Sequence, residues 1–436
     1  MLPAIASLQF PFELKRDQTE AAEAWMQNGR RGSVIFSTGT GKTEIAWECA
    51  RQAAIQSGKK RYAILFIVPR IVLISQNVRR LLSYGIDEGA IGTYYGERKD
   101  ASREITISTY QSVINNFDLV RQADMVVLDE VHLVSETAVE FDRIFDVIVE
   151  DPGKAILGLT ATIDERDPRY GTILVVAPPV KKYMIKDAVS DGRLARPVVK
   201  EVEVKFTDEE QKIYDEATGA IKEISRKLQV YDPARMTKVL MRGGARASLA
   251  KQWFAMVRKR KELLSSTKQK LYATVDIVKQ HPKERIMIFS ETVDSIQQLR
   301  DMLESSGIPA RTIHNGVPRY EREEILGSWG KDYYPLLSVH TLEIGYDVPQ
   351  VGIAIILASA ANANRVAQRI GRVVRKAEGK DHALVYVVHV RDTKDKNIVK
   401  MVNAAIEKSS LSEESRSART PRDSGKRPAR GQRTIL

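Results

Sequence analysis

The chain has 436 residues and carries 68 Lys and Arg against 56 Asp and Glu, a formal net charge of +12. With 43% hydrophobic and 28% charged residues it reads as globular, and at roughly 100–200 residues per domain its length accommodates two to four domains. Apolar runs such as Tyr62–Val68 and Val351–Ala361 fall short of the roughly 18 residues needed to cross a bilayer, and a single cysteine, Cys49, excludes a disulfide framework and Cys-rich metal centres. No signal peptide is legible in the proline-broken N-terminus, so a cytoplasmic chain is expected.

In chain order, Gly32–Phe36 is a short apolar run that enters a glycine-rich turn, and a helical pattern follows through Arg51. Tyr62–Val68, Ile105–Thr109, Met125–Asp129 and Ala155–Thr160 read as further strands, apolar enough to be parallel and buried on both faces. Residues 205–275 read as helical. Thr207 and Glu210 fit a capping box, and Ile213, Ala217, Ala220, Ile221, Ile224 and Leu228 keep helical spacing after it. Leu249, Trp253, Met256, Val257 and Leu264 form a second stripe, whose polar side includes the run Arg258-Lys259-Arg260-Lys261. The strand–helix alternation then returns, with Ile286–Ser290, Leu336–His340, Val351–Leu357 and His382–Val390 as strands and Asp294–Ser305 and Arg319–Trp329 as helices. From Lys408 onward the chain is rich in Ser, Arg and Pro and is expected to be disordered. The expected fold is α/β: tandem doubly wound parallel-sheet domains at 1–204 and 276–407, a helical insertion at 205–275, and a basic tail at 408–436.

The charge excess divides unevenly along this plan. Residues 1–204 have a net charge of −2 and residues 276–415 are neutral, whereas 205–275 carry +8 and 416–436 carry +6. A polyanionic partner is therefore expected at the insertion and the tail rather than over the whole surface.

Ser37-Thr38-Gly39-Thr40-Gly41-Lys42-Thr43 follows a predicted strand and opens a predicted helix, the setting that a phosphate-binding loop requires. Glycines 39 and 41 let backbone N–H groups approach phosphate oxygens, Lys42 can reach the β- and γ-phosphates of ATP, and the Thr43 hydroxyl can hold Mg²⁺. The strict form of this loop has a glycine where this chain has Phe36. Asp129-Glu130-Val131-His132 closes another predicted strand, giving one carboxylate for Mg²⁺ and a second to orient the attacking water. Taken alone an acidic pair at a strand end is a common solvated turn, and the upstream loop is what gives it a chemical role. His132 beside it is a candidate sensor.

In order and spacing, Ser37–Thr43, Asp129–His132, Leu159-Thr160-Ala161-Thr162 and Gln368-Arg369-Ile370-Gly371-Arg372-Val373-Val374-Arg375 resemble motifs I, II, III and VI of superfamily 2 helicases and translocases. Val68-Pro69-Arg70 is similar to motif Ia, Ser108-Thr109-Tyr110-Gln111 to the DNA-contact motif that follows it, Ile286–Glu291 to motif IV, and His340–Pro349 to motif V. Within the superfamily, the DEVH, LTAT and QRIGRVVR forms resemble the XPB branch. Glu165-Arg166-Asp167 is similar to that branch's charged Arg-Glu-Asp element with its order changed, and the helical block stands where the branch has a thumb-like insertion. Two departures stand out. Asp17, before Gln18, replaces an aromatic of the family, and the chain starts almost at this Q-like motif, so a form without the N-terminal damage-recognition domain is expected.

The resemblance implies two RecA-like domains and an ATP- and Mg²⁺-dependent DNA helicase or double-strand translocase, moving 3′→5′ in repair, recombination or transcription-related remodelling. Lys42, Glu130, Arg372 and Arg375 would carry hydrolysis, the two arginines as fingers on one helix face, and Gln368 would contact the γ-phosphate or motif II. Gln18 would read adenine, and Ser37, Thr38, Gly39, Thr40, Gly41, Lys42 and Thr43 would hold the phosphates. Gly345 and Asp347 would report nucleotide state, while Thr43 and Asp129 would hold the metal. Pro69, Arg70, Thr109, Tyr110, Gln111, Arg166 and Thr341 would contact nucleic acid. The implied partners are DNA as duplex, fork or single strand and a nuclease or a repair or transcription protein. The chain would act as a monomer on DNA, at the nucleoid in a prokaryote. Two alternatives stay open: an RNA helicase or a restriction or phage recombination motor, and a nucleotide-gated DNA clamp that does not unwind.

Overall fold

The computed structural model describes residues 2–136, 139–163, 170–339, 351–357, 363–376 and 380–407. Their strands form two sheets. The first contains β1 (Arg31–Phe36), β2 (Ile64–Val68), β3 (Ile91–Tyr95), β4 (Arg98–Lys99), β5 (Ile105–Thr109), β6 (Met125–Asp129), β7 (Ala155–Thr160) and β8 (Pro179–Tyr183) in the order β4-β3-β5-β2-β6-β7-β1-β8. The second contains β9 (Arg196–Val204), β10 (Ile286–Ser290), β11 (Arg311–Ile313), β12 (Pro335–Val339), β13 (Ile353–Ile356) and β14 (His382–Val390) in the order β11-β12-β10-β13-β14-β9. Every pairing is parallel except β3 with β4.

The strand period of two explains how uninterrupted apolar runs serve two cores. On β2, Ile64, Phe66 and Val68 enter one core while Leu65 and Ile67 enter another. On β10, Met287 and Phe289 join the first of these cores, and Ile286 and Ile288 line a third on the opposite face. The shared core runs from sheet to sheet through Ile185, Ala188, Leu194 and Ala195, so the lobes meet over apolar side chains.

Two expected boundaries are corrected. The first lobe does not run to 204, because β9 pairs with β14 from Arg196 opposite His382 to Val204 opposite Val390 and completes the second sheet. Its sequence, Arg-Pro-Val-Val-Lys-Glu-Val-Glu-Val, is too charged to read as a buried run because it is an edge strand with one wet face. Nor does the insertion extend to 275. The helix Lys268–Gln280 puts Leu271, Val275, Ile277 and Val278 into the second sheet's core.

The insertion proper is a set of three helices, Asp208–Leu228, Pro233–Met241 and Gly244–Ser266. The expected capping box is present: Glu210 N donates to Thr207 Oγ1 at 3.2 Å, and Thr207 N donates to Glu210 Oε2 at 3.0 Å. Ile221, Ile224, Leu228, Met236, Ala250 and Trp253 form a small core of their own, and Tyr214 and Leu264 seat its base on Val390 of the second lobe. No helix among the described residues is long and apolar enough to cross a membrane.

Candidate active site

The phosphate loop starts where β1 ends, beside the carboxyl ends of its sheet neighbour β7 and of β6, the usual ligand edge of an open parallel sheet. Phe36 explains its own departure from the strict loop. Its side chain is buried against Tyr183, with ring centroids 5.2 Å apart, while its carbonyl faces the loop and accepts a hydrogen bond from Lys42 Nζ at 2.9 Å. Thr40 Oγ1 donates to Ser37 O at 2.7 Å and closes the turn. Gly41 has φ +87°, a backbone that favours glycine, and a Cβ there would lie 2.1 Å from Gln18 Nε2 and displace that side chain from the loop. Gln18 is buried against this loop, donating to Thr40 O at 3.3 Å and Gly41 O at 3.2 Å.

The acidic pair sits at the end of β6, with Glu130 at φ +52°, a left-handed conformation that costs a non-glycine residue about 1–3 kcal/mol. Hydrogen bonds from Val131 N to Leu159 O and from Leu133 N to Glu130 O, both 2.9 Å, hold the turn. Burial, and then the neighbouring Glu130 carboxylate, pushes the Asp129 carboxyl up to about 7. Burial lowers Lys42, an effect the two carboxylates oppose and Arg372 and Arg375 reinforce. His132 is buried with Nδ1 2.9 Å from Thr160 Oγ1 and 3.5 Å from Glu130 Oε2, joining the acidic turn to the end of β7. The donor set fits a nucleotide and a hard cation. Ser37 Oγ and Thr38 Oγ1 are buried without a hydrogen-bond partner among the described residues, and Asp129 is a carboxyl whose ionised form needs a positive neighbour.

The second lobe completes this cleft through the helix Ala363–Val373. A Cβ on Gly371 would come within 2.5 Å of Thr38 Cβ, so this helix packs directly on the loop and only glycine permits the approach. The expectation that Arg372 and Arg375 share a helix face is corrected. The helix ends at Val373, and Arg375 lies beyond it, bridged antiparallel to Leu194. The connector between the lobes has taken over the backbone there, with Ala195 N donating to Val374 O at 2.7 Å. Both arginines still reach the loop region: Arg372 is buried, and Arg375 Cγ lies 3.3 Å from where a Gly39 Cβ would be.

Residues 11–165 match the family described as "Type III restriction enzyme, res subunit", and residues 269–377 match "Helicase conserved C-terminal domain". The chain is 27% identical over 397 residues to the DNA 3'-5' translocase XPB2 of Sulfurisphaera tokodaii, covering 88% of this chain and 84% of that one. It is 26% identical over 399 residues to the DNA 3'-5' helicase XPB of Mycobacterium tuberculosis, covering 88% of this chain but only 62% of that relative. Among solved structures, the Pyrococcus furiosus Hef helicase domain superposes with a TM-score of 0.55 at 15% identity, covering 89% of this chain and 99% of that one. The Type ISP restriction–modification enzyme LlaBIII bound to DNA gives a TM-score of 0.62 at 17% identity over 91% of this chain and 30% of that one. The chain is similar to XPB-type helicases and translocases over 88% of its length.

Not every expected nucleic-acid contact is at the surface. Tyr110 is corrected: it is buried, with its hydroxyl donating to Asp129 O at 2.8 Å, so it braces the acidic turn from below. Thr109 is likewise buried and caps the short helix Tyr110–Val113, its Oγ1 accepting from Ser112 N. Pro69 and Arg70 are half-buried and Gln111 is exposed. Arg166, Thr341, Gly345 and Asp347 lie outside the described residues, as does the side chain of Gln368.

Two site residues gave no sequence signal. Arg193, in the connector, donates to Thr40 O at 2.6 Å, pairs with Asp17, and lies 5.6 Å from the Tyr183 ring centre. The pairing gives the non-aromatic Asp17 a use. Lys380 donates to the carbonyls of Val351, Val373 and Arg375, gathering the end of the arginine helix. Neither belongs to a recognisable motif; each acts largely through backbone carbonyls.

Proposed function

We propose that this chain is an ATP- and Mg²⁺-dependent DNA helicase or double-strand translocase that moves 3′→5′. The observation that carries the reading is the seating of one lobe's arginines on the other lobe's phosphate loop, with Gly371 against Thr38 and Arg375 over Gly39. A site divided in this way hydrolyses only when the lobes are closed, so turnover and lobe movement are obligatorily linked. The relatives named as DNA 3'-5' translocase and helicase support DNA as the track and the polarity.

ATP enters as substrate along the loop. Lys42 exchanges the Phe36 carbonyl for phosphate oxygens, and the hydroxyls of Ser37 and Thr38 gain partners. Thr43 and Asp129 are the residues that would hold Mg²⁺, which when bound offsets phosphate charge. Glu130 orients the attacking water and takes its proton, while Arg372 and Arg375 stabilise charge on the transferring phosphoryl group. Opening after product release removes the arginines and resets the grip on the strand. A repair or transcription role, and a nuclease as a second partner, accord with the same resemblance.

The test compares ATPase stimulation by duplex DNA, forked DNA, single-stranded DNA and RNA on the full chain. Stimulation by DNA above RNA is expected. RNA as the sole stimulant would overturn the choice of track, and DNA-stimulated ATPase with no strand displacement would assign translocation without unwinding.

A further inference from the structure

The insertion is wired to the arginine helix by charge. Lys261, exposed on the insertion helix Gly244–Ser266, places Nζ 2.9 Å from Glu291 Oε2. Glu291 follows β10 and its side chain is only 2% exposed. Its other oxygen, Oε1, accepts a hydrogen bond at 3.2 Å from Nη2 of Arg369, a fully buried side chain whose guanidinium lies 5.5 Å from the Phe289 ring centre. Arg369 stands one turn before Arg372 on the helix that packs against the phosphate loop. One carboxylate thus bridges two cations, one belonging to the insertion and one to the arginine helix.

We propose that Glu291 is a positioning residue that transmits nucleic-acid engagement of the insertion to the arginine fingers; this rests on the function proposed above. Three features make the link directional. Lys261 ends a run of four basic residues and lies three positions after Arg258, on one helix face, so a phosphate backbone lying along Arg258 and Lys259 presses this helix, and Lys261 with it, onto Glu291. The base of the insertion is tied to the second lobe, because Glu210 both caps the helix Asp208–Leu228 and accepts hydrogen bonds from Thr267 Oγ1 at 2.9 Å and Lys268 N at 3.2 Å. Finally, Arg369 is buried, so any shift of its carboxylate partner is felt as a change in orientation of its helix rather than absorbed by solvent.

The experiment measures ATPase of the full chain against DNA concentration for wild type, Lys261→Met, Lys261→Arg and Lys259→Met, with DNA affinity read by fluorescence anisotropy. Lys261→Met should lower kcat at saturating DNA by about tenfold, within the usual range of coupling energies, with a smaller change in affinity. Lys261→Arg should restore most of that kcat. Lys259→Met removes the same charge from the same helix without touching Glu291, and should raise the DNA concentration at half-maximal rate far more than it lowers kcat. The proposal is overturned if Lys261→Met keeps wild-type kcat at saturating DNA, or if Lys259→Met lowers kcat equally. A wild-type enzyme that no nucleic acid stimulates would remove the functional reading itself, and the proposal with it, an outcome visible before any variant is made.

Discussion

The phosphate-loop edge of the first lobe and the interior of the second handle buried charge in different ways. In the first, charged and polar groups gather at the carboxyl edge of the sheet with provisional partners: Lys42 rests on a backbone carbonyl, the Asp129 carboxyl is held up to about 7, and Ser37 and Thr38 hydroxyls are unmatched. In the second, two buried ion pairs form within the protein. Lys270 and Asp395 are both fully buried and paired, with Lys270 Nζ also donating to Leu357 O at 2.8 Å and Asp395 Oδ2 accepting from Val390 N at 3.0 Å. Arg369 with Glu291 repeats the pattern. The first lobe keeps groups that must change partner during a cycle, and the second keeps pairs that fix where its arginines stand.

The sharpest break between the lobes should therefore be between turnover and stability. Glu130→Gln should lower kcat by about a thousandfold, the scale of a lost general base, with a melting temperature close to wild type. Lys42→Ala should likewise abolish turnover while leaving DNA binding largely intact. A Glu130→Gln enzyme with normal ATPase would show that the acidic turn is not the hydrolytic site. The second lobe should respond the other way. Lys270→Met alone leaves Asp395 buried and uncompensated, which should cost about 3–5 kcal/mol of stability in urea unfolding. Adding Asp395→Leu should recover part of this, and not all, because Leu357 O and Val390 N lose their partners as well. Full stability in the single variant would mean that the pair is a bystander and that the contrast between lobes fails.

Tyr110 tests the same contrast on a smaller scale, since it lies in the first lobe but acts as a fixed brace. Tyr110→Phe deletes the bond to Asp129 O and should cost about 1 kcal/mol, with a several-fold loss of ATPase and unchanged DNA affinity. If DNA affinity falls instead while ATPase at saturating DNA holds, the residue does touch the strand in a conformation other than this one.

The sequence made the first lobe's chemistry easier to read than the wiring between lobes. Ile105–Thr109, Met125–Asp129, Ala155–Thr160, Ile286–Ser290 and His382–Val390 are strands with the expected bounds, because buried parallel strands are apolar without interruption. The loop Ser37–Thr43 and the turn Asp129–His132 announce themselves because one backbone segment supplies most of the groups. β9 was hidden by its charged outer face, and its partner strand is far along the chain. Arg193 and Lys380 were hidden for another reason: their partners are carbonyls or side chains that only the folded chain brings close, and an isolated Arg or Lys looks like any solvated residue. The spacing of Arg372 and Arg375 was legible, but the early end of their helix was not, since the connector's bridge at Leu194 imposes it.

The smallest expected effect is a slope with pH, and it concerns the fixed pairing of the second lobe. Burial pushes Lys380 down to about 8, below the ordinary lysine value of about 10.4. Between these two values the unfolded chain holds more protons at this site than the folded one, so the contribution of Lys380 to stability rises with pH across that window. Below it both states are charged, above it both are neutral, and the contribution no longer changes. Lys380→Met removes the group, so the difference in urea midpoint between wild type and variant should move in favour of wild type between about pH 7.5 and about pH 9.5. The variant should also have weaker ATPase at both pH values, because the carbonyls of Val373 and Arg375 lose the amine that gathers them at the end of the arginine helix. Parallel stability profiles for the two proteins would mean that the amine titrates as a solvated lysine, and that the end of this helix is held by the connector's bonds at Leu194 and Ala195 instead.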